Sequence, residues 1–184
     1  MALSATIYKT ELHVADTDRH YYGSHMLTIA RHPSETVERM MVRLIAFAMN
    51  AHESLAFTKG LSEADEPDIW QKDLTGAIEL WIEVGQPTDI RILKACGRAE
   101  QVVVYCFNGH ASKLWWDGIR NKLKRARNLK VICLPTDAIR TLATEVQRNM
   151  VLHVNIQEDE LFIPTEHGQV SLKPDVWRDV ETRQ

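Results

Sequence analysis

The chain has 184 residues, 45% of them hydrophobic and 26% charged, a balance that suits one globular domain with a sizeable core and excludes a fibrous repeat or a disordered chain. Its net charge of -3 gives no global attraction to nucleic acid or an anionic membrane, so any such contact must come from a local basic patch. No apolar run approaches the ~20 residues that span a bilayer, and the opening residues lack the basic-then-apolar pattern of a signal peptide, so a cytoplasmic protein without membrane contact is expected.

Thr6 to Val14 alternates as a strand, with Ile7, Leu12 and Val14 as apolar anchors. A polar turn at Ala15-Asp-Thr-Asp18 returns the chain along Tyr22 to Ala30, which predicts an N-terminal hairpin. Pro33 breaks the pattern and Ser34 is a plausible N-cap for a helix from Glu35 to His52, where Val37, Met40, Met41, Leu44, Ile45 and Ala48 recur at helical spacing. Glu35 and Glu38 share one face of its first turns. There they complement the helix dipole and favour solvent, a role that fits Glu35 first.

Gly60 to Asp68 is a polar, acidic loop, and Ile69-Trp70 opens a short extended segment before a turn at Asp73 to Gly76. From Ile78 to Val84 the side chains alternate, so Ile78, Leu80, Ile82 and Val84 share one face and Glu79, Trp81 and Glu83 the other. Gln86-Pro87 ends this strand. Thr88 caps the next helix, whose apolar stripe of Ile92, Ala95, Cys96 and Ala99 is bordered by Arg91, Lys94 and Arg98. Acidic residues on a strand, followed at once by a basic helix stripe, mark a candidate site.

Gln101 to Phe107 and Leu129 to Leu134 are continuous apolar runs of strand length, as expected of strands covered on both faces. Between them Ser112 to Arg127 reads as a helix with Leu114, Trp115, Ile119 and Leu123 inward, and Asp137 to Arg148 as a further one. Strand and helix alternate from 78 to 148, which predicts parallel strands joined by right-handed crossovers. Val151 to Ile156, Glu160 to Ile163 and Val170 to Leu172 read as an antiparallel meander that, with the N-terminal hairpin, forms a second sheet. The fold class is therefore mixed α/β, in a single domain of residues 1–184. Cys96, Cys106 and Cys133 read as reduced, buried thiols, and the eight histidines show no metal-ligand spacing, His20 and His25 lying five apart on a strand.

The stretches His32-Pro-Ser-Glu-Thr36, Phe57-Thr-Lys-Gly60, Asp65-Glu-Pro-Asp68, Leu80-Trp-Ile-Glu-Val-Gly85 and Arg91-Ile-Leu-Lys-Ala-Cys96 together resemble the signature of the YaeQ family of bacterial proteins, over essentially the whole chain. The resemblance implies a variant of the PD-(D/E)XK nuclease fold, a restriction-endonuclease-like core, without an activity to carry over. On that template Pro67-Asp68 resembles the PD pair, and Glu83-Val84-Gly85 resembles (D/E)XK with glycine in place of lysine. Glu38 resembles an additional glutamate that many such nucleases carry on the preceding helix. In these enzymes two carboxylates hold a divalent metal, and a lysine orients or deprotonates the attacking water.

Glu83 and Gly85 point the same way on a regular strand, which leaves the lysine's position empty. Lys94, about 9 Å along the helix from Thr88, is the side chain placed to substitute. One reading is thus a metal-dependent nuclease or phosphodiesterase in which Glu38, Asp68 and Glu83 surround Mg²⁺ or Mn²⁺ and Lys94 supplies positive charge. The other reading of the same residues is an ion pair of Glu83 with Arg91 or Lys94, in a non-enzymatic interaction module on a degenerate nuclease scaffold. Its partner is a protein or a nucleic acid. Seven basic residues between 113 and 130, Lys113, Arg120, Lys124 and Arg127 among them, stand against Asp117 alone and form the candidate surface for nucleic acid.

Overall fold

The structure, a computed structural model, describes residues 4–181. The chain divides into two compact units, Met1–Glu53 with Asp137–Pro174, and Ser54–Thr136 with Asp175–Gln184. Each unit carries one mixed sheet, and the described residues hold four α-helices. No helix is long and apolar enough to cross a membrane.

In the first unit the predicted hairpin is present as β1 (Thr6–Asp16) and β2 (Tyr21–Arg31), antiparallel along the full length of both strands. Its turn falls two residues later than expected, and His20 sits there at φ 55° rather than on a strand with His25. The meander is β8 (Asn149–Gln157), β9 (Glu160–Thr165) and β10 (Gly168–Leu172). It joins the hairpin because β8 runs parallel to β1, giving the order β10-β9-β8-β1-β2. Even-numbered residues of β1 from Tyr8 on, among them Leu12 and Val14, are buried, whereas Ile7 lies on the other face and is exposed.

Helix α1 (Val37–Met49) begins at the first residue of its apolar spacing, two residues later than the start at Glu35 expected from a Ser34 cap, and ends three residues before His52. Thr36, not Ser34, is the cap, its hydroxyl accepting the Arg39 N–H at 3.1 Å. That shift removes Glu35 from the helix and from solvent. Residues 40 to 48 are all buried, so Arg43 is carried inside with them and is 4% exposed. A buried guanidinium needs a counter-charge, and Glu35, itself 3% exposed, supplies it. Arg43 Nε and Nη2 donate to Glu35 Oε1 and Oε2 at 2.8 and 2.7 Å, and Arg39 Nη1 donates to Oε1 at 2.8 Å. The surface role read for Glu35 is thus replaced by a two-pronged internal ion pair.

The second unit contains the predicted parallel core. Strands β5 (Ile78–Val84), β6 (Ala99–Cys106) and β7 (Leu129–Cys133) run parallel. Strands β3 (Leu55–Phe57) and β4 (Ile69–Lys72) extend the sheet antiparallel on the β5 side, and β11 (Asp175–Arg178) does so on the β7 side. Helix α2 (Asp89–Arg98) is capped by the Thr88 hydroxyl as predicted, but it ends at Arg98, so that Ala99, read as part of its apolar stripe, opens β6 instead. Helix α3 (Gly109–Ile119) gives way to a 3-10 turn at Arg120–Leu123 instead of continuing to Arg127. Its inward side is Ser112 and Trp116, with Leu123 of the 3-10 turn, while Leu114, expected inside, is 61% exposed. Trp81, Ile92, Ala95, Val102, Trp116 and Leu129 belong to one apolar cluster between this sheet and its helices. Helix α4 (Thr136–Thr144), which after Thr136 belongs to the first unit, is shorter than predicted and turns the expected Ile139 and Leu142 inward. All three cysteines are free thiols, Cys106 and Cys133 facing each other in register across β6 and β7.

Glu35→Ala should destabilise the protein by roughly 3–5 kcal/mol, because it strands the Arg43 charge, whereas Glu35→Leu with Arg43→Met should recover much of that loss. Urea denaturation of the two variants beside the parent checks this. A cost of Glu35→Ala under ~1 kcal/mol, the range of an exposed pair, would show that the pair is not closed from water.

Candidate functional site

Pro67 fixes the chain as it leaves the acidic loop, and the next residue enters the sheet: the Asp68 N–H donates to the Ile82 carbonyl at 3.0 Å. Ile69 is the register partner of Ile82, so one further step along these antiparallel strands sets Asp68 opposite Glu83, side chains on one face. Both are buried, at 3% and 4% exposure. Two carboxylates so placed repel each other, and burial leaves each in need of a donor. Asp68 Oδ2 accepts the Val84 N–H at 2.8 Å. Glu83 Oε1 accepts the Trp81 indole N–H at 2.8 Å and the Arg91 Nε–H at 2.9 Å, with Arg91 Nη2 also 2.9 Å away. Burial holds the Glu83 carboxyl above its ordinary pKa; the Trp81 hydrogen bond and the Arg91 charge pull it down, and the Asp68 charge adds to the rise.

Arg91 reaches further than Glu83. Its Nη1 donates to the Ala64 carbonyl and its Nη2 to the Glu66 carbonyl at 2.8 Å, so a single guanidinium joins strand, helix and acidic loop. Lys94 Nζ lies 2.8 Å from Asp65 Oδ1, with both side chains mostly exposed. Arg98 Nη1 donates to the Asp65 carbonyl at 2.9 Å, and its guanidinium stands 4.9 Å over the Trp81 ring. The Lys94 hydrogen bond and charge hold Asp65 below the usual carboxylate range. A cavity of about 230 Å³ lies between loop and helix, bordered by Asp65, Trp81, Ile90, Arg91, Lys94 and Arg98.

Asp68 and Glu83 are therefore brought together, while Lys94 is partnered by the loop residue Asp65. Glu38 is a half-buried residue of the first turn of α1, in the other unit. Among the described residues no group of three or more His, Cys, Asp or Glu side chains is placed to hold a metal ion. The Trp81 contact was foreshadowed by the alternation that put Trp81 and Glu83 on one strand face. The Lys94 contact with Asp65 had no such signal, since 29 residues separate the two.

Gly85 departs from the strand reading. The strand ends at Val84, and Gly85 has φ +109°, with nothing within 4 Å of the position a Cβ would take. Its conformation, and not its space, excludes other side chains. The basic surface differs from its sequence image as well. Arg127 lies 3.5 Å from Glu181 and Lys130 3.7 Å from Asp179, both brought back by the C-terminal segment, and Lys122 lies 3.6 Å from Asp89. Lys113 and Arg120 are 3.5 and 3.7 Å from Asp117.

A carboxyl that holds its proton more tightly in the folded than in the unfolded chain adds stability that is complete below its unfolded pKa and is lost as pH rises through the folded value. Relative to Glu83→Gln, the parent should therefore lose stability as pH climbs from the ordinary glutamate range. Carbon-13 titration of the Glu83 carboxyl should find its midpoint raised, and raised further in Arg91→Ala; a midpoint below the ordinary value would contradict the burial. Gly85→Lys, which writes the nuclease lysine back into the motif, should lower stability by about 1–3 kcal/mol through backbone strain, read as a lower urea midpoint. An unchanged midpoint would show that the turn relaxes freely.

The family model described as "YaeQ protein" matches residues 1–174. "Uncharacterized protein YaeQ" of Salmonella typhi is 40% identical over 178 residues, covering 97% of this chain and 98% of that protein, and its namesake from Escherichia coli (strain K12) is 39% identical over the same coverage. The crystal structure of YaeQ protein from Xanthomonas axonopodis pv. citri superimposes with a TM-score of 0.92 at 46% identity, covering 97% of this chain and all of that one. That from Pseudomonas syringae gives 0.91 at 36% identity, covering 95% and 97%. With sequence and fold matched over nearly all of its length, the chain belongs to the YaeQ family.

Proposed function

We propose that the chain is a non-enzymatic interaction module on a nuclease-like scaffold, offering the outer face of α2 to a partner protein that carries acidic and apolar groups. The observation that carries this reading is the Arg91 guanidinium on Glu83. A Mg²⁺ or Mn²⁺ ion asks for about six oxygen ligands near 2.1 Å. Here Glu83 Oε1 takes the Trp81 and Arg91 donors and Asp68 Oδ2 takes a backbone N–H. As these side chains stand, the pair does not fit a divalent ion, and its positive charge comes from arginine instead.

The outer face of α2 has what a partner surface needs. Ile90 and Leu93 are 75% and 42% exposed, one turn apart, and Lys94 and Arg98 flank them. Apolar area at the centre with cations at the side suits an acidic, partly apolar protein segment. Nucleic-acid binding through Lys113, Arg120, Lys124 and Arg127 is less well supported, because Asp117, Asp179 and Glu181 stand among those cations. The enzymatic reading, with Asp68, Glu83 and Glu38 as metal ligands and Lys94 as the charge, is favoured by one observation, the juxtaposition of Asp68 and Glu83. It requires Arg91 to leave Glu83.

Incubated with Mg²⁺ or Mn²⁺ and single-stranded DNA, double-stranded DNA or RNA, the purified protein should cleave none of them faster than the Asp68→Asn/Glu83→Gln variant does, and neither metal should raise its Tm. Metal-dependent cleavage that the double variant loses would overturn the proposal and assign the site to catalysis.

A further inference from the structure

The two sheets end in the strands β10, β2, β11 and β3, and three of these edges are short or irregular. Strand β3 has 3 residues, β10 has 5, and β11 has 4 with a shift of register after Val176. Edges kept short or kinked resist pairing with another chain. Strand β2 has no such protection. It runs for 11 residues, pairs with β1 in unbroken register, and from Tyr21 to Ala30 contains no Lys, Arg, Asp, Glu or Pro.

The backbone groups of successive residues turn to opposite sides of a strand. Lys9 donates its N–H to the Arg148 carbonyl, toward β8, so the even-numbered residues of β1 face β2. Their register partners are odd-numbered, Leu12 with His25 among them. The even-numbered residues of β2 therefore present N–H and C=O to the open edge. Tyr22, Ser24, Met26 and Thr28 are exposed there, whereas the Ala30 carbonyl already accepts Arg43 Nη2 at 3.0 Å. The open stretch thus runs from Tyr22 to Thr28 and is symmetric about His25.

That symmetry and the absence of charge select the occupant. Where two identical strands pair antiparallel, side chains beside the axis meet their own copies, so any charge there faces a like charge. The ionisable side chain at the centre, His25, is held below its ordinary pKa by burial, which favours its uncharged form. With the axis at His25, Tyr22 lies opposite the second copy's Thr28 and Ser24 opposite its Met26. Each of these residues then exchanges both backbone hydrogen bonds, and Tyr22 and Met26, 64% and 80% exposed, gain neighbours on the outer face of the sheet.

We infer that the edge of β2 is the interface of a two-fold dimer of this chain, in which two β2 strands pair antiparallel about His25 and join the two sheets into one. A single strand pair buries less than the ~1,200 Å² at which standard interfaces begin, which places its affinity in the micromolar range. No residue of the α2 face takes part, and nothing in the inference depends on the reading of the Asp68 and Glu83 cluster.

Sedimentation velocity of the full chain between about 1 and 500 µM tests this, and the parent should pass from monomer to dimer with a Kd of about 1–100 µM. Met26→Lys sets two like charges beside the axis and should raise the Kd at least about tenfold. Met26→Pro removes an N–H that faces the open edge and none that bonds β1, so it should abolish the dimer at a monomer Tm near the parent's; should it lower that Tm, the exposed Met26→Lys decides. Under mild oxidation Ser24→Cys/Met26→Cys should form a covalent dimer, and Ser24→Cys/Thr28→Cys, which face each other only with the axis at Met26, should not. A monomer at every concentration would leave the edge to a foreign strand and overturn the inference. So would a dimer that both Met26 variants leave unchanged, assembly that grows past two copies, or cross-linking of the second cysteine pair in place of the first.

Discussion

A carboxylate taken out of water must find a cation or several donors, and both units of this protein are arranged around that requirement. Glu35 and Glu83 are 3% and 4% exposed, and each is met by an arginine eight residues later in the chain. The routes differ. Glu35 precedes its helix and Arg43 lies two turns into it, whereas Glu83 sits near the end of a strand and Arg91 in the first turn of the helix that follows. Arginine suits both places because its donors form a rigid fork. Arg91 uses one edge on Glu83 and the remainder on the carbonyls of Ala64 and Glu66. A lysine ammonium has no second edge to offer, so it cannot join three elements in this way.

The same guanidinium shapes what the site does. Asp68 and Glu83 lie side by side where β4 and β5 meet in the interior of the sheet, the arrangement from which a metal centre is built, yet their donors are already supplied by Trp81, Arg91 and the Val84 N–H. The chain's departure from the nuclease pattern at Gly85 belongs to this geometry. Once β5 ends at Val84, with the Val84 N–H held by Asp68, the backbone turns at positive φ, and a lysine there would neither lie on the strand nor share the face of Glu83.

What the residues alone reveal follows the range of the forces involved. The strand from Ile78 to Val84, the Thr88 cap, the buried runs of β6 and β7 and the N-terminal hairpin are written in alternation, capping side chains and turn residues within a few positions of each other. The parallel contact of β8 with β1 and the return of Asp175–Arg178 to the edge of β7 rest on pairings more than forty residues apart, which leave no local trace. Charge fails to read out for the same reason. The cations from 113 to 130 look unopposed along the chain, but Asp179 and Glu181 are folded back among them. Within the site, the pairing of Asp68 with Glu83 was drawn from the resemblance to the nuclease motif and not from the residues' own pattern, since it rests on the register of two strands, and the destination of Lys94 was not legible, because the placement of a loop decides it.

The acidic loop is consequently held by two kinds of contact with different strengths. Lys94 with Asp65 is an exposed pair, worth at most about 1 kcal/mol and weakened by salt. Arg91 binds backbone carbonyls while its other edge is committed to a buried carboxylate, and Thr58 closes the far side of the loop, its hydroxyl donating to the Pro67 carbonyl and its N–H to that of Asp68. The loop therefore depends on Arg91, Thr58 and Arg98, whose Nη1 donates to the Asp65 carbonyl, and the Lys94 ammonium is not needed to keep it. An acidic group arriving at Lys94 competes only with Asp65, across water, and leaves the Glu83–Arg91 pair intact beneath it. The buried pair gives α2 a fixed position on the sheet, and the exposed pair leaves the helix's outer charges exchangeable, which is the division of roles an interaction surface requires.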